Sequence, residues 1–404
     1  MNYALYIHIP FCRHRCAYCD FNTYAGQGAN LPAYVEALCR EITFLGKNAP
    51  ERLVLGSVYF GGGTPSLLQV EHFEAILHAV QEAFDLHDPE ITMEANPGTV
   101  TRNGLHDLRS LGINRISFGV QSMQHTELRL LERQHDTFDV FEAVRWSRRA
   151  GFDNLNLDLI YGLPSQMLSD WTSSLRLVLA LQPEHLSLYC LTLEHGTPFG
   201  RWAARGLLPI PDPDLAAEMY EWAGGTLEAA GFEQYEISNW TRPGYACRHN
   251  LQYWRSLPYL GAGAGAHGYA SGYRCNNVLR IKTYIDRLSG GASQELPFPF
   301  SPANVARHHQ TAQDEMGEFM MVGLRLTREG VSPGTFRQRF GQPLQQVFAK
   351  EVEDLIRLGL LTWVQATTSS KTHRSREAQW EHGRLCLTPR GRLLGNQVFM
   401  AFIG

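Results

Sequence analysis

Six short β-forming runs, alternating with helical patterns, occupy the first half of this 404-residue chain, and that alternation constrains the fold more than any other feature. The runs cover residues 3–9, 57–60, 91–94, 115–118, 154–159 and 185–190. Helical patterns fall over 31–45, 66–84, 101–111, the stretch up to about 150, and 168–181. A strand that returns to its sheet through a helix lies parallel to its predecessor, with a right-handed crossover. Two closures fit: an open doubly wound sheet, or a full or partial barrel. The strand ends favour the barrel. Three cysteines follow the first run, and Gly61-Gly62-Gly63-Thr64-Pro65 follows the second. Glu94 closes the third, Gln121 lies just past the fourth, and Asp158 sits in the fifth, before Tyr161-Gly162. In a barrel such ends converge on one mouth, where these folds keep their sites. The expected class is therefore α/β, with a partial barrel of six βα units.

Beyond residue 195 the pattern changes. Residues 198–213 are turn-rich and read as a connection, 215–231 as a helix, and 235–273 as an irregular segment rich in glycine and aromatic residues. Three prolines within 296–302 mark the best boundary, dividing the chain into 1–195, 196–300 and 301–404. The last part reads as helices over 312–324, 333–340 and 344–358, then strands over 360–364 and 384–387, with the polar stretch 367–383 as a hairpin loop. That order is winged-helix-like. Lys+Arg 36 against Asp+Glu 40 gives a net charge of −4, so no electrostatic case for nucleic-acid binding exists and the module reads as structural or protein-contacting. No uninterrupted apolar run approaches the ~18 residues of a spanning helix. The N-terminal residues show no basic region or cleavage site, so the expected location is the cytoplasm.

Of eight cysteines, Cys12, Cys16 and Cys19 fall close together, and the other five are scattered. In a reducing compartment a disulfide framework is not expected. A structural zinc site wants four ligands, usually as two separated pairs, and no second pair stands at suitable spacing. Thiolates are soft and suit iron–sulfur clusters. Three cysteines on a [4Fe–4S] cluster leave one iron open to an external chelator.

Cys12-x3-Cys16-x2-Cys19 after one strand, with Gly61-Gly62-Gly63-Thr64-Pro65 after the next, resembles the radical S-adenosylmethionine (SAM) superfamily. The resemblance implies that the open iron holds the amino and carboxylate groups of SAM, and that an electron from the cluster cleaves SAM to a 5′-deoxyadenosyl radical. The longer run Tyr6-Ile7-His8-Ile9-Pro10-Phe11-Cys12 is similar to the oxygen-independent coproporphyrinogen III oxidase branch. By that likeness Tyr6, Gly62 and Glu94 match positions that contact the cluster-bound SAM. Tyr18, Gly63, Thr64, Gln121, Arg133 and Asp158 match positions that contact a second SAM. Glycines admit close backbone approach, and carboxylates accept from ribose hydroxyls or an ammonium group. Plainer readings of the same residues stand beside these: a βα turn for the glycines, interior ion-pair partners for Glu94 and Asp158, a solvated helix residue for Arg133.

The oxidase carries a fourth cysteine two residues after the third, with glycine between, and a long N-terminal arm. Here the stretch is Cys19-Asp20-Phe21, and Cys12 stands close to the first residue. Both departures match the HemW family of haem chaperones instead. His249-Asn250-Leu251-Gln252-Tyr253-Trp254 resembles that family's His-Asn-x-x-Tyr-Trp signature. Imidazole is a common haem ligand and aromatic rings pack on flat macrocycles. His249 thus has two readings, an axial haem ligand or a structural histidine shaping the mouth. Cys247 and His267 are further ligand candidates, and Arg307-His308-His309 reads as an exposed helix start. The resemblance implies a chaperone that holds a [4Fe–4S] cluster, SAM and haem. It would pass haem to acceptor proteins, by family analogy respiratory and membrane-bound. It also implies transient membrane association, an electron donor if SAM is cleaved, and a possible dimer. Oxidative decarboxylation of coproporphyrinogen III, or another radical SAM reaction, remains open as the alternative.

Overall fold

In the computed structural model, residues 2–290, 295–365, 379–380 and 382–403 are described. All six expected strands form: β1 (Tyr3–Ile9), β2 (Val54–Gly62), β3 (Asp85–Ala95), β4 (Arg115–Gln121), β5 (Leu155–Tyr161) and β6 (His185–Cys190). They pair in parallel, in that order. The connections carry α1 (Leu31–Lys47), α2 (Val70–Ala83), α3 (Arg102–Ser110), α4 (His125–Leu130), α5 (Thr137–Arg149) and α6 (Leu168–Ala180). Local chemistry sets their ends. Asp136 and Asp139 form a reciprocal capping box that starts α5, and Pro32 sits in the first turn of α1.

The two faces of this sheet differ in kind, because successive side chains on a strand point to opposite faces. One face is apolar: Ile7, Val58, Phe60, Met93, Ile116, Phe118, Leu157 and Leu188 join the main core with the helices. Each such side chain contributes about 1.5–3 kcal/mol by leaving water. The alternate positions are polar: Tyr6, Tyr59, Glu94, Arg115, Ser117, Asn156, Asp158 and Ser187. Most of these line a single cavity. Polar side chains from five adjacent strands reach that cavity, which makes the polar face the concave one.

The sheet is larger than the sequence suggested. The stretch expected to be irregular supplies β7 (Glu233–Glu236), β8 (Asn239–Thr241), β9 (Tyr259–Ala262), β10 (His267–Ala270) and the start of β11 (Tyr273–Asn277). With β12 (Asn304–His309) these extend both flanks, giving the order β12-β11-β10-β9-β1-β2-β3-β4-β5-β6-β8-β7. β9 runs parallel to β1, and the outermost strands run antiparallel to their neighbours. The outermost strands, β12 and β7, do not pair with each other, so the barrel is partial. Strands this short carry too few alternations for their period to show. Arg307-His308-His309 therefore lies on an edge strand, not at a helix start. Its exposed charged and polar side chains protect an edge that has no partner strand among the described residues.

The connecting region carries α7 (Pro198–Ala204), inside the segment expected to be only turns, α8 (Pro213–Ala229) and α9 (Arg248–Trp254), before α10 (Ile281–Ser289). After α10, a second core forms from α11 (Ala312–Gly323), α12 (Pro333–Phe340), α13 (Leu344–Arg357) and the hairpin β13 (Leu361–Gln365) with β14 (Gly383–Leu387). This is the winged-helix order. The polar stretch 367–383 lies outside the described residues except for 379, 380, 382 and 383. Arg325 ties the second core to the sheet: it pairs with buried Glu236 at 3.1 Å and lies 4.4 Å from the Trp254 ring centroid.

Candidate functional site

The cysteine loop is held to the glycine run by backbone contacts. Gly63 N–H donates to Ile9 O at 2.9 Å, and Thr64 N–H donates to Phe11 O at 2.8 Å. A Cβ at Gly63 would lie 2.7 Å from both of those carbonyl oxygens, so only glycine permits this approach. Phe11–Cys12 pairs with Tyr24–Ala25, which closes the loop on itself. Beneath it, Ala17 packs with Leu131, Ile160 and Phe199 in a small separate core. Phe199 also donates its N–H to Ala17 O at 3.1 Å, so α7 supports the loop from below.

All three clustered thiols are free and line one cavity of about 490 Å³. Two of the sulfurs have polar donors. Thr64 Oγ1 donates to Cys12 Sγ at 3.6 Å, and Arg133 Nη1 donates to Cys16 Sγ at 3.7 Å. Burial pushes the Cys12 and Cys19 thiols up from their ordinary range. Deprotonation at these positions is thus coupled to arrival of a soft metal centre, whose binding releases the thiol protons.

The remaining residues singled out for SAM surround the same cavity, except Tyr6, which lines the cavity beside it. Arg133 is half-buried and hydrogen-bonded into the wall rather than free in solvent. It donates to Gly119 O at 2.7 Å and to Asn96 Oδ1, while Asn96 Nδ2 donates to Thr64 Oγ1 at 3.2 Å. Glu94 accepts from Tyr59 OH at 2.8 Å and from Gly62 N–H at 3.1 Å. Burial, with Asp158 nearby, pushes its carboxyl up to about 7. Asp158 accepts from Ser117 Oγ at 3.0 Å and Asn156 Nδ2 at 2.7 Å, and burial raises it too. Among the described residues neither carboxylate forms an ion pair, so the interior ion-pair reading does not describe them. Gln121 ends β4 at φ +67, with a buried Oε1 that has no hydrogen-bond partner among the described residues. Gly62 has φ +107, and a Cβ there would meet the His8 ring at 2.3 Å. Tyr18 and Tyr6 reach the mouth from the cysteine loop and β1, and Tyr6 OH bonds to His8 Nδ1 at 3.0 Å.

An orphaned buried acceptor, two carboxyls held only by neutral donors and a glycine-lined wall fit a polar, cationic ligand beside the thiols. Three thiols facing one cavity fit an iron–sulfur cluster. Sequence reasoning missed the residues that position this set: Tyr59, Asn96, Arg115, Ser117, Asn156 and Ser187. The period-2 alternation of polar residues within otherwise buried strands was the signal that could have found them.

His249 sits elsewhere. It is 1% exposed, and both ring nitrogens are bonded, Nδ1 with Ser57 Oγ at 2.9 Å and Nε2 with Tyr253 OH at 2.8 Å. Its ring stacks on Tyr59 at 4.9 Å. Burial, with Arg115 nearby, pushes its pKa down to about 3, which keeps it neutral. In this arrangement both nitrogens are engaged by hydroxyls, which favours the structural reading of His249 over the axial-ligand one. Cys247 is likewise committed, its Sγ donating to Glu90 at 3.3 Å. Glu90 also accepts the N–H groups of Arg248 and His249, so it caps α9 from β3.

Residues 6–178 match the family model described as the Radical SAM superfamily, and residues 310–363 match the HemN C-terminal domain. A Bacillus subtilis protein named heme chaperone HemW is 38% identical over 99% of this chain and 99% of its own length. A Synechocystis protein of the same name is 42% identical over 80% of this chain and 78% of its own. Among solved structures, the fold is similar to that of the Escherichia coli coproporphyrinogen III oxidase HemN, a radical SAM enzyme. The TM-score is 0.79 at 23% identity, covering 99% of this chain and 90% of that one.

Proposed function

We propose a function from one premise: this chain belongs to the radical SAM superfamily and, within it, to the HemW family. It is a haem chaperone that carries a [4Fe–4S] cluster and SAM, binds haem and delivers it to other proteins. The observation that carries this reading is full-length likeness to a named haem chaperone. Phe21, at the position of the oxidase's fourth clustered cysteine, agrees with it. Spectroscopic titration of the reconstituted protein with haem is the test. Stoichiometric binding is expected. Formation of protoporphyrinogen IX in an anaerobic assay with reductant, SAM and coproporphyrinogen III would replace the reading with the oxidase one.

Cys12, Cys16 and Cys19 would hold the cluster. When bound, the cluster supplies one-electron chemistry and an open iron for SAM. Thr64 and Arg133 donate toward the sulfurs of Cys12 and Cys16, which offsets negative charge on those thiolates. Tyr6, Gly62 and Glu94 would receive the cluster-bound SAM. Glu94 would accept a charged or hydroxyl donor, and Gly62 would leave room for a close backbone approach. Tyr18, Gly63, Thr64, Gln121, Arg133 and Asp158 would receive a second SAM, with the unpaired Gln121 Oε1 as one acceptor.

The finer assignments rest on family analogy. The three segments 1–195, 196–300 and 301–404 would act as barrel, flanking segment and C-terminal module. Haem acceptors would be respiratory proteins met from the cytoplasm at a membrane surface, with an electron donor serving SAM cleavage and a dimer as the working unit. Among the described residues no helix is long and apolar enough to cross a membrane. Haem transfer to an acceptor apoprotein in vesicles, with sedimentation to establish subunit number, tests this set; failure of transfer in both soluble and vesicle assays would remove it.

A further inference from the structure

A second cavity, of about 1200 Å³, opens beside the first and is bounded by β1, the β9–β11 flank and α11. The two share Phe21, Gly62 and Glu94 in their linings, so an occupant of the second would lie next to the SAM-binding residues. Resting on the haem-chaperone reading, we propose that this second cavity is the haem seat and that His267 is the protein ligand to its iron.

The first argument is shape and polarity. Leu257, Met321, Val322 and Phe402 make apolar wall, and Trp254 and Tyr259 add aromatic surface against which a flat macrocycle can pack. Ligand pockets commonly measure about 300–1,000 Å³, so this one is large enough for a porphyrin. The second argument is the rim. Phe21, Leu279 and Ile403 are 62%, 54% and 44% exposed, and all three line this cavity. Single exposed apolar side chains are ordinary, whereas several around one opening mark a surface that an apolar ligand covers.

The third argument separates the histidines. His249 has both nitrogens bonded, as described above. His8 has both engaged as well, by Tyr6 OH at 3.0 Å and by Asn22 O at 3.0 Å. His308 faces Asp314 at 3.9 Å. His267 lines the cavity from the start of β10, is exposed, and makes no hydrogen bond through its imidazole among the described residues. It is the histidine there whose nitrogens are free for a metal. Arg274 lines the same cavity beside Glu318 and offers a guanidinium to a haem propionate.

The test is ferric haem titration of the full-length reconstituted protein, with affinity and Soret spectrum both read. For His267→Ala, a loss of affinity of about tenfold or more is expected, at least the 10–100-fold typical of losing a group that merely orients a ligand. The Soret band should shift, and added imidazole should restore the wild-type spectrum, which a purely structural role would not produce. Met321→Trp, which fills the cavity from α11, should weaken binding as well. If wild-type protein binds haem and both variants bind it as tightly with the same spectrum, the assignment is overturned while the chaperone reading stands. If wild-type protein binds no haem, the chaperone reading itself falls.

Discussion

Replacing Glu94 with Gln isolates the energetic consequence of keeping a ligand-binding carboxyl dry. Its two hydrogen-bond donors, Tyr59 OH and Gly62 N–H, are neutral, and burial pushes the carboxyl from 4.5 to about 7. The folded state therefore holds a proton that the unfolded chain has released between those values. The sign follows: the contribution of Glu94 to stability is full below about pH 4.5 and is lost as pH rises through about 7. That rise corresponds to about 3 kcal/mol. Gln keeps the shape and removes the titration. Urea unfolding of cluster-free protein at pH 5 and pH 8 is the assay. At pH 5 the two proteins should agree to within about 1 kcal/mol, because the native carboxyl is already protonated. At pH 8 the variant should be more stable by about 2–3 kcal/mol, while its SAM affinity falls. A difference between the two proteins that is the same at both pH values would refute the reasoning.

Other outcomes can be checked alongside. Cys16→Ala should abolish the brown chromophore after anaerobic reconstitution, since two thiolates do not hold a cluster stably; retention of colour would refute the ligand assignment. Gly62→Ala should lower SAM affinity and destabilise by more than the roughly 1 kcal/mol of an unfavourable positive φ, because its Cβ would strike the His8 ring; unchanged unfolding and titration curves would contradict this. His249→Ala should lower stability by about 1–3 kcal/mol, chiefly through the buried Ser57 hydroxyl left without its partner, while haem affinity of the folded protein stays unchanged; a haem-specific defect with normal unfolding would favour the axial-ligand reading.

The sequence by itself determined the parallel core and the location of its site. Buried strands bounded by helical patterns are readable because both period and length are local properties. Their C-terminal ends carry the chemistry, so the sequence alone places Cys12, Gly62, Glu94 and Asp158 at one mouth. The crowding of three cysteines without a fourth was equally local. Tertiary structure alone decided which neighbours each residue meets. The flanking strands β7–β12 are too short for their period to register, and they are stabilised by pairing across the sheet rather than by their own pattern. Arg133 looked like a solvated helix residue because nothing nearby in sequence tells that Gly119 and Asn96 will enclose it. His249 and His267 stand only 18 positions apart, yet one is buried by Ser57 from β2 and Tyr59 while the other opens into a cavity. Whether an imidazole is a structural hydrogen-bonding group or a free ligand depends on partners supplied from distant parts of the chain, and folding alone brings them together.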